Sequence, residues 1–248
     1  GGGWAEPAAL ARALLADSGA LWRGATDVAA LRRGGEGWEL LDRDGRVTAS
    51  APAVVLAANL DTPRWLDPRV APRLESVRGQ TTGVPADRLV APALPVAGFG
   101  VVLPALDGRV WCGATSDAGD DEPRLRERDH ARNLAQLERL LGQRVEVPSA
   151  ALDGRVGWRA VAPDRLPWIG AVPDAEALAA ARRLDQPRFV PRTAGLFAFS
   201  ALASRGIAWA ALGARTLAAS VAGTPCPLEA SLLDAVDAAR FVARAARR

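Results

Sequence analysis

Two arginines sit where side-chain chemistry is most readily read from this sequence. The first is Arg159, in Trp158-Arg159-Ala160-Val161-Ala162-Pro163-Asp164-Arg165-Leu166-Pro167, after a strand-like stretch. A guanidinium beside a carboxylate gives a planar two-point grip that no other side chain matches. Arg159 is therefore a candidate for holding a substrate carboxylate; the alternative is a structural pair with Asp164. The second is Arg205, in Ser204-Arg205-Gly206-Ile207, at the predicted start of a long Ala-rich helix. A helix N-terminus offers free N–H groups and partial positive charge. Glycine there lets a flat ligand approach the backbone. A reduced flavin, negative on its pyrimidine edge, would suit such an end; an ordinary capped helix is the alternative.

Other chemistries are excluded by residue type. His130 is the only histidine, so a multi-histidine metal site is excluded. It is expected as a surface histidine on a helix. Cys112 and Cys226 are far apart and form no CxxC pair, so two reduced cysteines are expected, with no metal. The G-x-G-x-x-G loop that follows a strand in dinucleotide-binding proteins is absent. Gly1-Gly2-Gly3 follows no strand, and Gly98-Phe99-Gly100 lacks the third glycine and the helix.

The elements that must position these arginines are legible as patterns. Pro7, the spacing of Leu10, Leu14 and Leu15, and Gly19 predict a helix over 6–18. Strand-like residues follow at 25–31. Trp38–Leu41 and Val47–Ala49 flank Asp44-Gly45, a hairpin signal. The apolar run 53–58 predicts a strand buried on both faces. The proline-rich middle holds a predicted hairpin, 101–103 with 110–114, and one helix over 124–141 with Leu134, Leu137, Leu140 and Leu141 on one face. Later come a strand at 196–199, a helix at 207–221 stopped by Gly223 and Pro225, and one amphipathic helix over 228–246. The first and last segments are expected to form one layered domain, 1–60 with 193–248. The segment 61–192 is expected as an inserted antiparallel-sheet domain.

The chain has 248 residues, 31 basic residues that are all arginine, no methionine, and a net charge of +3. Without methionine, residue 1 is no natural start, and a processed chain, a fragment or a domain of a longer one is expected. No apolar run approaches the roughly 20 residues that span a bilayer, nothing at the start reads as a signal peptide, and a cytoplasmic location is expected. A pI near 9.9 permits nucleic-acid binding without diagnosing it. Arg240, Arg244 and Arg247, spaced by four and three, share one face of the predicted last helix beside Arg248. Phosphates suit such a face, and a solvated, frayed helix end is the alternative.

The segments "GGGWAEPAALARALL", "VVLAAN", "VRGQTT", "VVLPALDGRVWCGAT", "RDHARNL", "GRVGWRAVAPDRLPWIGAVPD" and "GLFAFSALASRGIAWAALGARTLAASVAGTPCPL" occur in a familiar order. Together they resemble the C-terminal oxidoreductase domain of the tRNA 5-methylaminomethyl-2-thiouridine biosynthesis bifunctional proteins (the MnmC family), within the D-amino-acid oxidase / glycine oxidase superfamily. The resemblance implies an α/β (α+β) fold, a partial Rossmann-like FAD-binding domain with an inserted antiparallel-sheet substrate domain. It implies FAD as cofactor and tRNA as partner. The implied reaction is oxidative removal of the carboxymethyl group from 5-carboxymethylaminomethyl-2-thiouridine at the wobble position, releasing glyoxylate. In the fused proteins an N-terminal methyltransferase domain using S-adenosylmethionine acts next; nothing here resembles it. Carried over by position, Arg159 matches the substrate-carboxylate arginine. Ser204, Arg205, Gly206 and Ile207 match the helix start facing the flavin, Val28 the strand residue whose backbone meets the adenine, and Ala57, Ala58 and Asn59 a second dinucleotide-contacting strand end. Leu60 stands where the family tends to have a small residue. Without the glycine fingerprint, this chain alone is expected to bind FAD weakly or not at all. A small-molecule amine or glycine oxidase of the same fold and an inactive truncated chain are the competing readings.

Overall fold

The computed structural model describes residues 3–248; Gly1 and Gly2, the start of the glycine triplet, lie outside the described residues. Helix α1 (Pro7–Ser18) begins with proline, whose missing N–H would have had no partner, and ends at Gly19 with φ 66°. Three short strands follow, β1 (Ala30–Gly34), β2 (Gly37–Leu41) and β3 (Val47–Ala51), then β4 (Val54–Leu56). The middle holds β5 (Glu75–Pro85), β6 (Val96–Ala97), β7 (Val101–Leu106), β8 (Arg109–Gly113), β9 (Asp117–Ala118), helix α2 (Glu127–Leu141) and β10 (Asp153–Val161). The chain finishes with β11 (Trp168–Pro173), β12 (Arg192–Ser200), α3 (Gly206–Ala222), α4 (Ala230–Val236) and α5 (Arg240–Ala246).

Two compact units emerge. One holds the chain through Ala20 together with Ser76–Trp158; the other holds Leu21–Glu75 and Arg159–Arg248. This division differs from the expected boundaries. Residues 61–75 go with the second unit because Leu66, Val70 and Leu74 pack in its core, and residues 3–20 go with the first unit. Residues 159–192 go with the second unit because β11 pairs antiparallel with β12, Trp168 opposite Ser200. Sequence reading had no view of that long-range pairing.

In the first unit the sheet order is β10-β5-β8-β7-β6, with β9 also on β5. Val84, Val102, Val110 and Leu137 form its dry core. Acids in the first turn of α2 and an arginine in the last suit its macrodipole, and Gly142 caps it at φ 65°. The contact between α2 and β5 is polar and buried. Arg78 donates from Nη1 to Asp129 Oδ2 at 2.7 Å with both side chains fully buried. Asn133 Nδ2 donates to Gln80 O (2.8 Å) and Thr82 Oγ1 (3.0 Å), and Thr82 Oγ1 meets His130 Nδ1 at 2.9 Å. His130 is thus a buried histidine, not the expected surface one; burial lowers its pKa, against the nearby charges of Asp129 and Glu127. Cys112 is buried too, and burial pushes its thiol up to about 12. Both cysteines are free.

In the second unit β1, β2 and β3 form an antiparallel meander and β11-β12-β4 a separate sheet. Leu56, Trp168, Val172, Leu196 and Ala198 build the core. β4 runs parallel to β12, Leu56 opposite Ala198. Leu56 is 5% exposed but Val55, on the opposite face, is 44% exposed, so the expectation of burial on both faces fails. Helix α3 packs on β11 and β12. Gly213 permits the close approach, since a Cβ there would meet the Phe199 ring at 2.5 Å. The expected single last helix is two. Asp237 takes φ −57°, ψ 142° between α4 and α5 and bridges to Ile169. Its carboxylate accepts from Ala239 N and from Arg192 Nη2 at 2.9 Å. A tertiary contact therefore overrides the helical pattern.

Candidate active site

The parallel strands β4 and β12 end at the same edge of their sheet, and the carboxyl ends of parallel strands are where α/β sheets bind ligands. Beyond β4 the chain passes Ala57 and Ala58 and turns at Asn59, φ 52°. Beyond β12 it turns twice more in the left-handed region, at Ala201 (φ 58°) and Ala203 (φ 52°). Alanine has no intrinsic reason to adopt this backbone, which costs about 1 kcal/mol or more per residue and tends to cluster at functional sites. Arg165, φ 60°, is a further case.

These turns are tied together. The Ser200 hydroxyl donates to the Asn59 carbonyl at 2.9 Å. The Ala160 N–H donates to Asn59 Oδ1 at 3.1 Å. Arg159, next to Ala160, is half-buried, and burial lowers the pKa of its guanidinium. Asp164, the acid proposed as its structural partner, is held by Arg240 and Arg244. Arg205 Nη2 donates to Arg165 O at 3.4 Å. The turn 59–65 also reaches Val28, whose carbonyl accepts from Trp65 Nε1 at 3.2 Å and Arg64 Nη2 at 3.3 Å. So Arg159, Asn59, the turn leading to Ser204 and the backbone of Val28 form one connected set in the second unit. Ser200 and the left-handed alanines were missed in the sequence. A serine closing the apolar strand Phe197-Ala198-Phe199 was the available signal.

Helix α3 starts at Gly206 after one 3-10 turn, Ala203–Arg205. No side chain caps it and its first turn has no acid, so its N–H groups keep their positive end. A Cβ on Gly206 would meet nothing nearer than Leu202 Cβ at 4.0 Å, while Ser204, Arg205 and Ile207 are exposed. The backbone here is open to a flat, electron-rich ring.

The terminal arginines divide. Arg240 is 1% exposed; it donates from Nε and Nη2 to Asp164 at 2.8 and 2.9 Å and from Nη2 to Leu166 O at 3.0 Å. Its expected phosphate contact is corrected, because the guanidinium is enclosed. Arg244 reaches Asp164 at 2.6 Å with its side chain 40% exposed. Arg247 and Arg248 are exposed, and Arg248 lines a cleft of about 300 Å³ with Phe241 and Arg244. Among the described residues no cluster of three or more acidic, histidine or cysteine side chains could hold a metal, and no helix is long and apolar enough to cross a membrane.

The profile of the FAD-dependent oxidoreductase (DAO) family matches residues 1–220. The tRNA 5-methylaminomethyl-2-thiouridine biosynthesis bifunctional protein MnmC of Methylibium petroleiphilum is 51% identical over 97% of this chain. Its counterpart from Burkholderia thailandensis is 45% identical over the whole chain. The chain spans 39% of the length of each. Among solved structures, glycine oxidase from Geobacillus kaustophilus is 25% identical with a TM-score of 0.68, covering 93% of this chain and 56% of that one. Fructosamine oxidase from Aspergillus fumigatus shares the fold at 14% identity and a TM-score of 0.61, covering 87% and 52%.

Proposed function

The chain belongs to the FAD-dependent oxidoreductase family, and from that membership we propose that it is the amine-oxidising part of a tRNA wobble-uridine modification enzyme. The substrate is 5-carboxymethylaminomethyl-2-thiouridine in tRNA; the carboxymethyl group leaves as glyoxylate and the aminomethyl nucleoside remains. Identity of 41–51% to MnmC proteins across nearly the whole chain supports this substrate over a free amino acid. In the longer protein a methyltransferase domain using S-adenosylmethionine acts on the product.

The observation that carries the reading is Arg159, half-buried and joined through Ala160 and Asn59 to the turn that opens α3. A substrate bearing a carboxylate two bonds from an amine nitrogen needs such a grip to fix the carbon that will be oxidised. The open backbone at Gly206 and the uncapped start of α3 fit the pyrimidine edge of a flavin. Ser204, Arg205, Gly206 and Ile207 would hold that edge, with Ala57, Ala58 and the backbones of Asn59 and Val28 toward the adenosine end. FAD, when bound, supplies the acceptor for a hydride. The chain's own part is to orient the substrate by its carboxylate and to hold its backbone donors fixed.

Two measurements test the proposal in the full-length protein. Glyoxylate release is followed from tRNA carrying the carboxymethylaminomethyl nucleoside and, separately, from glycine and sarcosine. Turnover of the small amines with none on tRNA would favour the small-molecule oxidase. Arg159→Lys keeps the charge and loses the two-point geometry, so kcat/KM is expected to fall roughly 100-fold with flavin content unchanged. Normal turnover by Arg159→Ala would make Arg159 structural.

A further inference from the structure

We infer that Asn59 is the positioning residue for Arg159. The inference rests on Arg159 gripping the substrate carboxylate and goes beyond it in naming what fixes the grip. Three segments far apart in sequence meet at Asn59: the end of β4, the last residues of β10, and the end of β12. The Ala160 N–H, on a residue 1% exposed, donates to Asn59 Oδ1. That bond fixes the peptide joining Arg159 to Ala160, and with it the direction in which the Arg159 side chain leaves the backbone. Ser200, 3% exposed, donates to the Asn59 carbonyl and fixes the other side of the bracket to the turn before α3.

The residue type fits this task closely. Asn59 has φ 52°, a backbone that asparagine tolerates better than other residues with a Cβ. Its side chain is short and ends in an acceptor that reaches a backbone N–H. Glycine would keep the turn and lose the acceptor. Aspartate would keep both.

This sets up a test in the flavin-loaded, full-length protein. Asn59→Gly, Asn59→Asp, Arg159→Lys and the double variant Asn59→Gly/Arg159→Lys are compared for flavin content, thermal unfolding, and kcat and KM on the modified tRNA. Asn59→Gly is expected to raise KM about tenfold with flavin content and unfolding temperature retained, and Asn59→Asp to restore KM to within about threefold. Because Asn59 acts through Arg159, Asn59→Gly should add less than about twofold in the Arg159→Lys background. Additive effects, a wild-type KM for Asn59→Gly, or loss of flavin in that variant would each overturn the inference, the last by assigning Asn59 to the cofactor. The two readings fail differently. A normal KM for Arg159→Lys removes the carboxylate grip itself, whereas an impaired Arg159→Lys beside a normal Asn59→Gly removes only the positioning role.

Discussion

Asp164 shows how one carboxylate organises its surroundings at the scale of single residues. Burial pushes its pKa up, and the hydrogen bonds and charge of Arg240, with Leu166 N and Arg244, more than offset this and hold it at about 2. An ordinary aspartate in the unfolded chain titrates near 3.9. The folded value is the lower one, so the stability Asp164 contributes is complete above about pH 4 and is lost as pH falls through about 2. Chemical denaturation at a series of pH values checks this. Asp164→Asn should be less stable than wild type at pH 7 and lose less between pH 4 and 2; parallel curves would refute the linkage. Arg240→Ala leaves a largely buried carboxylate with one partner fewer, at an expected cost on the order of 3 kcal/mol. The sequence showed the charges of Arg240 and Asp164 but not their pairing, since 76 positions separate them. His130 was misread because its partner is distant in sequence: its side of the helix is polar, and only the burial of Thr82 and Asn133 reveals that this side faces a strand.

At the scale of elements, local signals were read well and long-range ones were not. Asp44-Gly45 and Asp107-Gly108 sit at the tips of the β2–β3 and β7–β8 hairpins, and Gly142 and Gly223 cap their helices in the left-handed region. Each is decided by one or two residues acting on their own backbone. The break at Asp237 and the exposed face of β4 are decided by packing elsewhere in the chain, with Ile169 and Arg192 the partners for the first. Gly195 was not singled out at all, because its demand is tertiary. It sits in β12 at φ 69°, and an added Cβ would lie inside the contact distance of the Pro52 carbonyl. The neighbouring Ala194 carbonyl accepts from Arg33 Nη1 (2.7 Å) and Trp38 Nε1 (3.0 Å), which pins β12 to the meander. Gly195→Ala should therefore destabilise the protein by about 2 kcal/mol or more, from backbone strain and a clash that no rotamer relieves. Urea denaturation gives the number; a stability equal to wild type would mean that β12 can shift away from Pro52 at no cost.

At the scale of the whole molecule, the proposed tRNA partner would need a cationic surface on a chain whose net charge is only +3. Many arginines pair locally with acids. Arg32, Arg69, Arg124 and Arg132 all pair with acids, and Arg240 is enclosed. The four-arginine face expected at the C-terminus thus reduces to Arg247 and Arg248, with Arg244 half-committed to Asp164. If this end holds the tRNA backbone, its contribution is the release of counterions from one or two phosphates. Arg247→Ala/Arg248→Ala should then weaken tRNA binding and flatten the plot of log affinity against log salt by about one to two units of slope. Oxidation of a small modified nucleoside should be untouched, because neither arginine belongs to the Arg159 set. Arg240→Ala separates charge from fold: it should lower stability, and in the fraction that remains folded the salt slope should match wild type. Affinities measured across a range of salt concentrations decide the matter. Equal affinity and equal slope for the double variant would move the tRNA surface elsewhere and leave this helix end as a solvated terminus.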